Sequence, residues 1–199
     1  MLTVYLLRHG ETLWNADGNR YCGVTDVELT EKGIGQAHLA AEVLAGITFD
    51  AVYSSPLQRA FRTAQIASGK PEQVRIDARL TEASFGEWEG KTREEFIGEK
   101  PQLWDEWCRT PERTKAGGSG ETATEVVSRV DAFFRDVQQA HVSGTILVVA
   151  HNAVNRFYLA RKLGMPLRNY RQLAQDNSSV TVFDLDGEGE LKLLKLNCR

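Results

Sequence analysis

Thr3-Val4-Tyr5-Leu6-Leu7-Arg8-His9-Gly10-Glu11-Thr12 is an apolar run that stops at an arginine and a histidine. Apolar and β-branched residues ended by a glycine read as a buried strand, with the polar residues in the loop at its carboxyl end. The pattern recurs along the chain. Phe49 to Ser54 leads into Ser55-Pro56-Leu57-Gln58-Arg59, Val74 to Ile76 is followed by Leu80-Thr81-Glu82, and Gly144 to Ala150 leads into His151-Asn152. Two last runs, Ser179 to Leu185 and Leu191 to Leu196, flank Asp186-Gly187-Glu188-Gly189 and read as a hairpin at one sheet edge.

Between the strands lie helical patterns at Thr30 to Ala45, Pro56 to Ser68, Glu121 to His141 and Ala153 to Leu163, with two short pieces around Glu94 and Trp104. Ser55 before Pro56 gives a hydroxyl cap ahead of a proline at the first helical position, and Thr122-x-x-Glu125 is a capping box. Asn152 reads as the N-cap of the helix that comes after it. Val126, Val130, Phe133, Phe134 and Val137 recur at helical spacing and make one stripe that faces a sheet. Strands alternating with helices of this length imply a three-layer α/β/α sandwich with a mostly parallel central sheet and one antiparallel edge strand. All of residues 1–199 read as a single domain, because no shift in composition divides the chain. The stretch from about 90 to 120 carries Trp104, Trp107 and Lys115-Ala116-Gly117-Gly118-Ser119-Gly120 without clean periodicity, and reads as a partly helical, lid-like insertion.

The balance of 24 basic and 27 acidic residues, net −3 and mixed along the chain, provides no basic block for a nucleic-acid backbone, so a small soluble partner is expected. The apolar start meets Arg8 too soon for a signal peptide or membrane span, which points to a cytoplasmic protein without membrane association. Cys22, Cys108 and Cys198 are widely spaced and far from any Cys/His cluster, so neither a disulfide framework nor a metal or other cofactor is expected.

In an open parallel sheet ligands gather beyond the carboxyl ends of the strands. Four strand ends here deliver His9 and His151, Arg8 and Arg59, and Glu82 to that rim. Arg8 and Arg59 provide forked, permanently charged donors suited to phosphate, and Arg59 falls in the first turn of its helix, where free N–H groups add positive potential. A neutral imidazole is a competent nucleophile toward phosphorus, and its covalent product splits one hard transfer into two easier ones. Each residue alone has a structural reading, as a loop histidine, a surface cation or a solvated carboxylate. Their convergence is what points to chemistry. His38 and His141 read as structural, and the tryptophans of the insertion as packing.

Leu7-Arg8-His9-Gly10-Glu11-Thr12 with Trp14-Asn15 resembles the signature of the histidine phosphatase superfamily, the phosphoglycerate mutase-like enzymes. The similarity continues through Gly23-x-x-Asp26-x-x-Leu29-Thr30-x-x-Gly33, Tyr53-Ser54-Ser55-Pro56-Leu57-Gln58-Arg59-Ala60, Leu80-Thr81-Glu82, Phe85-Gly86-x-Trp88-Glu89-Gly90 and Gly120-Glu121-Thr122, and so covers nearly the whole chain. The resemblance implies that His9 is phosphorylated, that Arg8, Arg59, His151 and Asn15 hold the phosphoryl group, and that Glu82 gives a proton to the leaving oxygen and then activates water. It implies a metal-independent phosphatase acting on a small phosphorylated metabolite. Specificity is assigned to the loop from Asp17 to Asp26, with Cys22 and Gly23, and to the insertion. Ala150-His151-Asn152 departs from the Ser-His-Gly common in the family, which places Asn152 beside the phosphate. The alternatives are a phosphoglycerate mutase-type transfer, disfavoured by the short insertion, and a non-catalytic binder of phosphorylated ligands, disfavoured by the presence of His9 and Glu82. Family analogy alone suggests a homodimer.

Overall fold

The computed structural model describes all 199 residues. A six-stranded sheet consists of β1 (Leu2–Arg8), β2 (Ala51–Ser54), β3 (Val74–Ile76), β4 (Gly144–Ala150), β5 (Val180–Leu185) and β6 (Leu191–Cys198), in the spatial order β3-β2-β4-β1-β5-β6. The first four strands are mutually parallel, whereas β5 runs antiparallel to both β1 and β6. The expected hairpin therefore forms that edge of the sheet, with β6 outermost and the reversed strand β5 one place inside it.

The helices are α1 (Leu13–Ala16), α2 (Glu31–Val43), α3 (Gln58–Ser68), α4 (Arg93–Glu99), α5 (Pro101–Arg109), α6 (Ala123–Ala140) and α7 (Asn152–Lys162). Strand side chains alternate between two layers. Leu2, Val4 and Leu6 of β1 and Ile146, Val148 and Ala150 of β4 pack with α6, α7 and the insertion, while Leu7, Leu147 and Val149 point to the opposite face, toward α2 and α3. Strands buried on both faces read as continuous apolar runs, which makes them legible in the sequence. The insertion joins the larger core: Trp88 stacks on Phe96 with centroids 4.8 Å apart and meets Trp104 and Trp107 edge-on, and Trp88 and Trp107 are among the largest fully buried side chains.

Local chemistry sets the helix starts. The Thr122/Glu125 box forms with both reciprocal bonds in place. The Ser55 hydroxyl accepts from the Leu57 N–H at 3.3 Å, as expected of a capping hydroxyl, while also meeting His151, although the regular turns of α3 begin only at Gln58. By contrast Asn152 is the first helical residue of α7 rather than its cap, and His151 takes the cap position. The short helix α1, closed by a reciprocal Thr12/Asn15 box, was not expected from the sequence.

Candidate active site

Sheet register brings the two histidines together. Arg8 at the end of β1 pairs with Ala150 at the end of β4, and the His9 N–H donates to the Ala150 carbonyl at 3.1 Å, so His9 and His151 leave adjacent strands at the same level. Their ring centroids lie 5.0 Å apart. Ser55, just after β2 on the other side of β4, donates its N–H to the Val149 carbonyl and sets its hydroxyl 2.7 Å from His151 Nε2. Gly10 and Gly33 explain two motif glycines. A Cβ on Gly10 would lie 2.3 Å from the Gly33 carbonyl oxygen, and one on Gly33 would lie 2.1 Å from that of Glu11. Only bare backbone lets the amino end of α2 close over the loop after His9.

His9 Nδ1 lies 2.7 Å from the Gly10 carbonyl oxygen, which can only accept, so Nδ1 carries the proton. Burial, followed by the charges of Arg59 and Arg8, holds this imidazole well below the ordinary histidine range and hence neutral. Nε2 is left as a lone-pair nitrogen on a side chain that lines the cleft. In His151 the order is reversed. Arg59 Nε donates to Nδ1 at 3.2 Å, so Nε2 carries the proton and donates to Ser55. Burial and Arg59 keep this ring neutral too.

Arg59 is 0% exposed and has no acidic partner. Its Nη1 donates to the Thr25 carbonyl at 2.8 Å and its Nη2 to the Gly23 carbonyl at 2.6 Å. One guanidinium thus ties His151 to the 22–25 loop. Glu89, part of a motif but assigned no role from the sequence, completes the tie by accepting from the N–H groups of Val24 and Thr25 and from the Thr25 hydroxyl. Gly23 therefore presents its carbonyl to Arg59 and is not among the cleft-lining residues, whereas Cys22 is. Burial pushes the Cys22 thiol up to about 11, so it faces the cleft protonated.

Glu82 is 3% exposed and sits at the amino end of α7, where its Oε1 accepts from the N–H groups of Ala83 and Val154 and its Oε2 from that of Ala153. A second clamp fixes the loop that carries it. Arg129 donates to the carbonyls of Arg79, Thr81 and Glu82 while paired with Glu121, and Glu121 accepts from the Ser84 N–H. Asn15 lines the cleft with its Oδ1 held by the Thr12 N–H and the Asn177 amide, and its own amide reaches Asn19. Arg8 donates from Nη1 to the Gln175 carbonyl, and its Nε is buried without a partner. Burial and the nearby Arg156 bring its guanidinium down to about 10.

These side chains surround a cleft of about 340 Å³. Of the residues expected here from the sequence, Arg8, His9, Asn15, Cys22, Glu82 and Asn152 line it, while Arg59 and His151 lie just behind the lining. Arg20 and Arg93 line it from the loop and the insertion to which specificity was assigned, though neither was named, Arg171 lines it from outside both, and Arg156 had no assigned role. Arg156 is within reach of pattern reasoning, being four residues after Asn152 on one helix face. Arg171 sits in a 3-10 turn whose sequence carries no periodic signal. His38 is exposed on α2, and His141 caps α6 and pairs with the Tyr53 hydroxyl, in keeping with structural roles. No cluster of three or more His, Cys, Asp or Glu side chains able to hold a metal ion is present.

Fold and cleft together define an α/β protein with an arginine-lined cleft over paired histidines at the carboxyl ends of its parallel strands. The chain belongs to the histidine phosphatase superfamily (branch 1), whose family model matches residues 4–199. It is 35% identical over 198 residues to phosphoserine phosphatase 1 of Hydrogenobacter thermophilus, covering 99% of this chain and 92% of that one. It is 31% identical to the adenosylcobalamin/alpha-ribazole phosphatase of Escherichia coli over 93% of this chain and 91% of that protein. A crystal structure of a mutant phosphoserine phosphatase from Entamoeba histolytica in complex with phosphoserine superposes with a TM-score of 0.89 at 31% identity, covering 99% of this chain and 97% of that one.

Proposed function

We propose that the protein is a metal-independent phosphomonoesterase that hydrolyses a small phosphorylated metabolite through a phosphohistidine on His9. The observation that carries this reading is the fixed tautomer of His9: Nδ1–H bound to the Gly10 carbonyl in a ring that burial keeps neutral, which leaves Nε2 free to attack. In the first step Nε2 attacks phosphorus in line with the ester oxygen, the P–O bond breaks, and Glu82 supplies the proton to the departing alkoxide. Arg8 and the amide of Asn15 stabilise the equatorial oxygens from the lining, while Arg59 adds its charge from behind it and, with Ser55, locks His151 in place. In the second step the Glu82 carboxylate takes a proton from water as that water attacks the phosphohistidine, which returns His9 to its neutral form with release of inorganic phosphate.

Preorganisation is the common feature of these parts. Three backbone N–H groups orient Glu82, and the Arg129–Glu121 clamp holds its loop, so little reorganisation accompanies reaction. A cytosolic location belongs to the same reading, supported by three free cysteines. No helix is long and apolar enough to cross a membrane.

The test is phosphate release from a panel of phosphomonoesters in excess chelator, measured beside His9→Ala. Release that survives chelation and is lost in the variant is the expected result. Release that needs an added divalent ion, or that persists without His9, overturns the reading, and isomerisation of 3-phosphoglycerate without net release would replace it with mutase chemistry.

A further inference from the structure

The cleft holds more positive charge than one phosphoryl group neutralises. Arg8, Arg93, Arg156 and Arg171 all line it. The protein has ten ion pairs, and none includes any of these four. Arg20, the fifth arginine of the lining, is already neutralised by Asp17 and Glu95. Of the two acidic residues of the lining, Glu82 is held by backbone N–H groups and Glu94 is exposed on α4. With Arg59 behind the floor, five guanidinium groups surround the cleft without an acidic partner, whereas a phosphate dianion brings two charges.

The excess lies away from His9, on the wall formed by α7, the 3-10 turn at Leu167–Gln172 and the insertion. Arg171 sits against two rings, with its guanidinium carbon 4.6 Å from the Trp104 centroid and 4.6 Å from that of Tyr170. Arg93 covers Trp104 at 4.9 Å. The two rings hold the guanidinium of Arg171 in place while its Nη1 donates to Cys108 Sγ at 3.9 Å, which leaves Nη2 as the donor available to an anion. The Nη2 of Arg171 and the Nε of Arg156 are buried without a partner. Unpaired buried donors on charged groups are costly unless a ligand meets them.

We propose that Arg156 and Arg171 form a second anion subsite that takes a carboxylate on the leaving group, so that the substrates are phosphate esters of small hydroxy or amino acids. The inference rests on the phosphatase reading of the same cleft and deepens it. The phosphoryl group sits at Arg8 and His9 and the carboxylate at Arg171, so the two ends of one short molecule are held by the two ends of the cleft. A neutral, base-like leaving group would leave both cations of the wall unpaired.

The discriminating pair is phosphoserine and phosphoethanolamine, which differ only in the carboxylate. For the full chain, kcat/KM on phosphoserine should exceed that on phosphoethanolamine by on the order of 10- to 100-fold, the effect of a hydrogen-bonded charge pair. Arg156→Gln and Arg171→Gln should each pull that ratio toward unity, mainly through KM for phosphoserine. A ratio read within one preparation is insensitive to the fraction folded. Equal turnover of the two esters by the unaltered protein, or a ratio that survives both substitutions, overturns the subsite while leaving the phosphatase intact. Calorimetric binding of both esters to His9→Ala separates the two readings: tighter phosphoserine binding in a protein whose unaltered form turns over no ester of the panel keeps the subsite and sinks the phosphatase. Equal binding of the two esters there counts against the subsite.

Discussion

On the floor of the cleft, His9, His151, Arg59 and Glu82 are almost wholly buried, and each is committed to named hydrogen bonds that settle its tautomer or direction. On the outer wall, Arg93, Arg156 and Arg171 are exposed or half-buried and have no acidic partner. The floor hangs on strand ends whose register is fixed by a two-sided core. The wall stands on α7, a 3-10 turn and two short helices stacked on tryptophans. Chemistry that develops charge in a transition state profits from groups that need not move, whereas selectivity for a charged leaving group profits from cations left without an internal partner. The floor is therefore finished in the free protein and the wall is completed by its ligand.

Two substitutions break the floor. His9→Ala should remove turnover by roughly 10⁴-fold or more, the scale of loss when a covalent nucleophile is deleted, and should abolish an acid-labile phosphoryl label on the protein. Retained labelling would place the nucleophile elsewhere. Glu82→Gln should lower kcat by roughly 10²- to 10⁴-fold on alkyl phosphates. The loss of phosphoenzyme formation should be much smaller on p-nitrophenyl phosphate, whose leaving group needs no proton. An equal loss on both substrates would assign Glu82 to architecture rather than to proton transfer.

The same contrast decides how much of the molecule is legible in its sequence. Buried strands announce themselves as Thr3 to Leu7 and Gly144 to Ala150, and the loops after the strands of a parallel sheet must emerge at one rim, so topology alone brings out His9, Arg59, Glu82 and His151. Local propensity finds the Ser55 hydroxyl at the start of its helix but misplaces the cap at Asn152, because a tertiary demand outranks it there: the amino end of α7 is occupied by the Glu82 carboxylate from a distant loop. Nothing local distinguishes Arg171 from any loop arginine. Its position depends on Trp104 and Tyr170 packing beside it, a fact of three-dimensional contact rather than of spacing.

Between floor and wall stands the loop from Arg79 to Ser84, and it offers a test of how rigid the floor must be. Arg129→Met removes donors from three carbonyls and leaves Glu121 without its partner. With a hydrogen bond contributing about 1 kcal/mol net and the pair partly exposed, a loss of about 2 kcal/mol is expected in denaturant unfolding. Turnover of alkyl phosphates should fall by roughly tenfold as Glu82 loses its alignment, with p-nitrophenyl phosphate less affected. A stability loss without that substrate dependence would confine Arg129 to holding the fold.

Acidification isolates the floor, because the arginines of the wall do not titrate in the same range. His9 and His151 are neutral in the folded protein, with burial the leading cause, and each takes up a proton near pH 6.5 once unfolded. Below that pH the unfolded chain binds more protons than the folded one, so stability rises with pH across the window and is lost as pH falls from about 6.5 toward the depressed folded values. Each histidine adds at most about 1.4 kcal/mol per pH unit to that slope. The shifted carboxylates Glu11, Asp77, Glu87, Glu95, Glu125 and Asp176 are lowered from ordinary values already below this range and act further down. Urea unfolding between pH 6.5 and 5 should therefore show a positive slope that is reduced in His9→Asn and again in the double variant with His151→Asn. A flat profile in the unaltered protein would mean that the two rings are charged in the fold. The lone pair assigned to His9 Nε2 would then be absent, and with it the contrast between a floor that is ready to react and a wall that waits for its ligand.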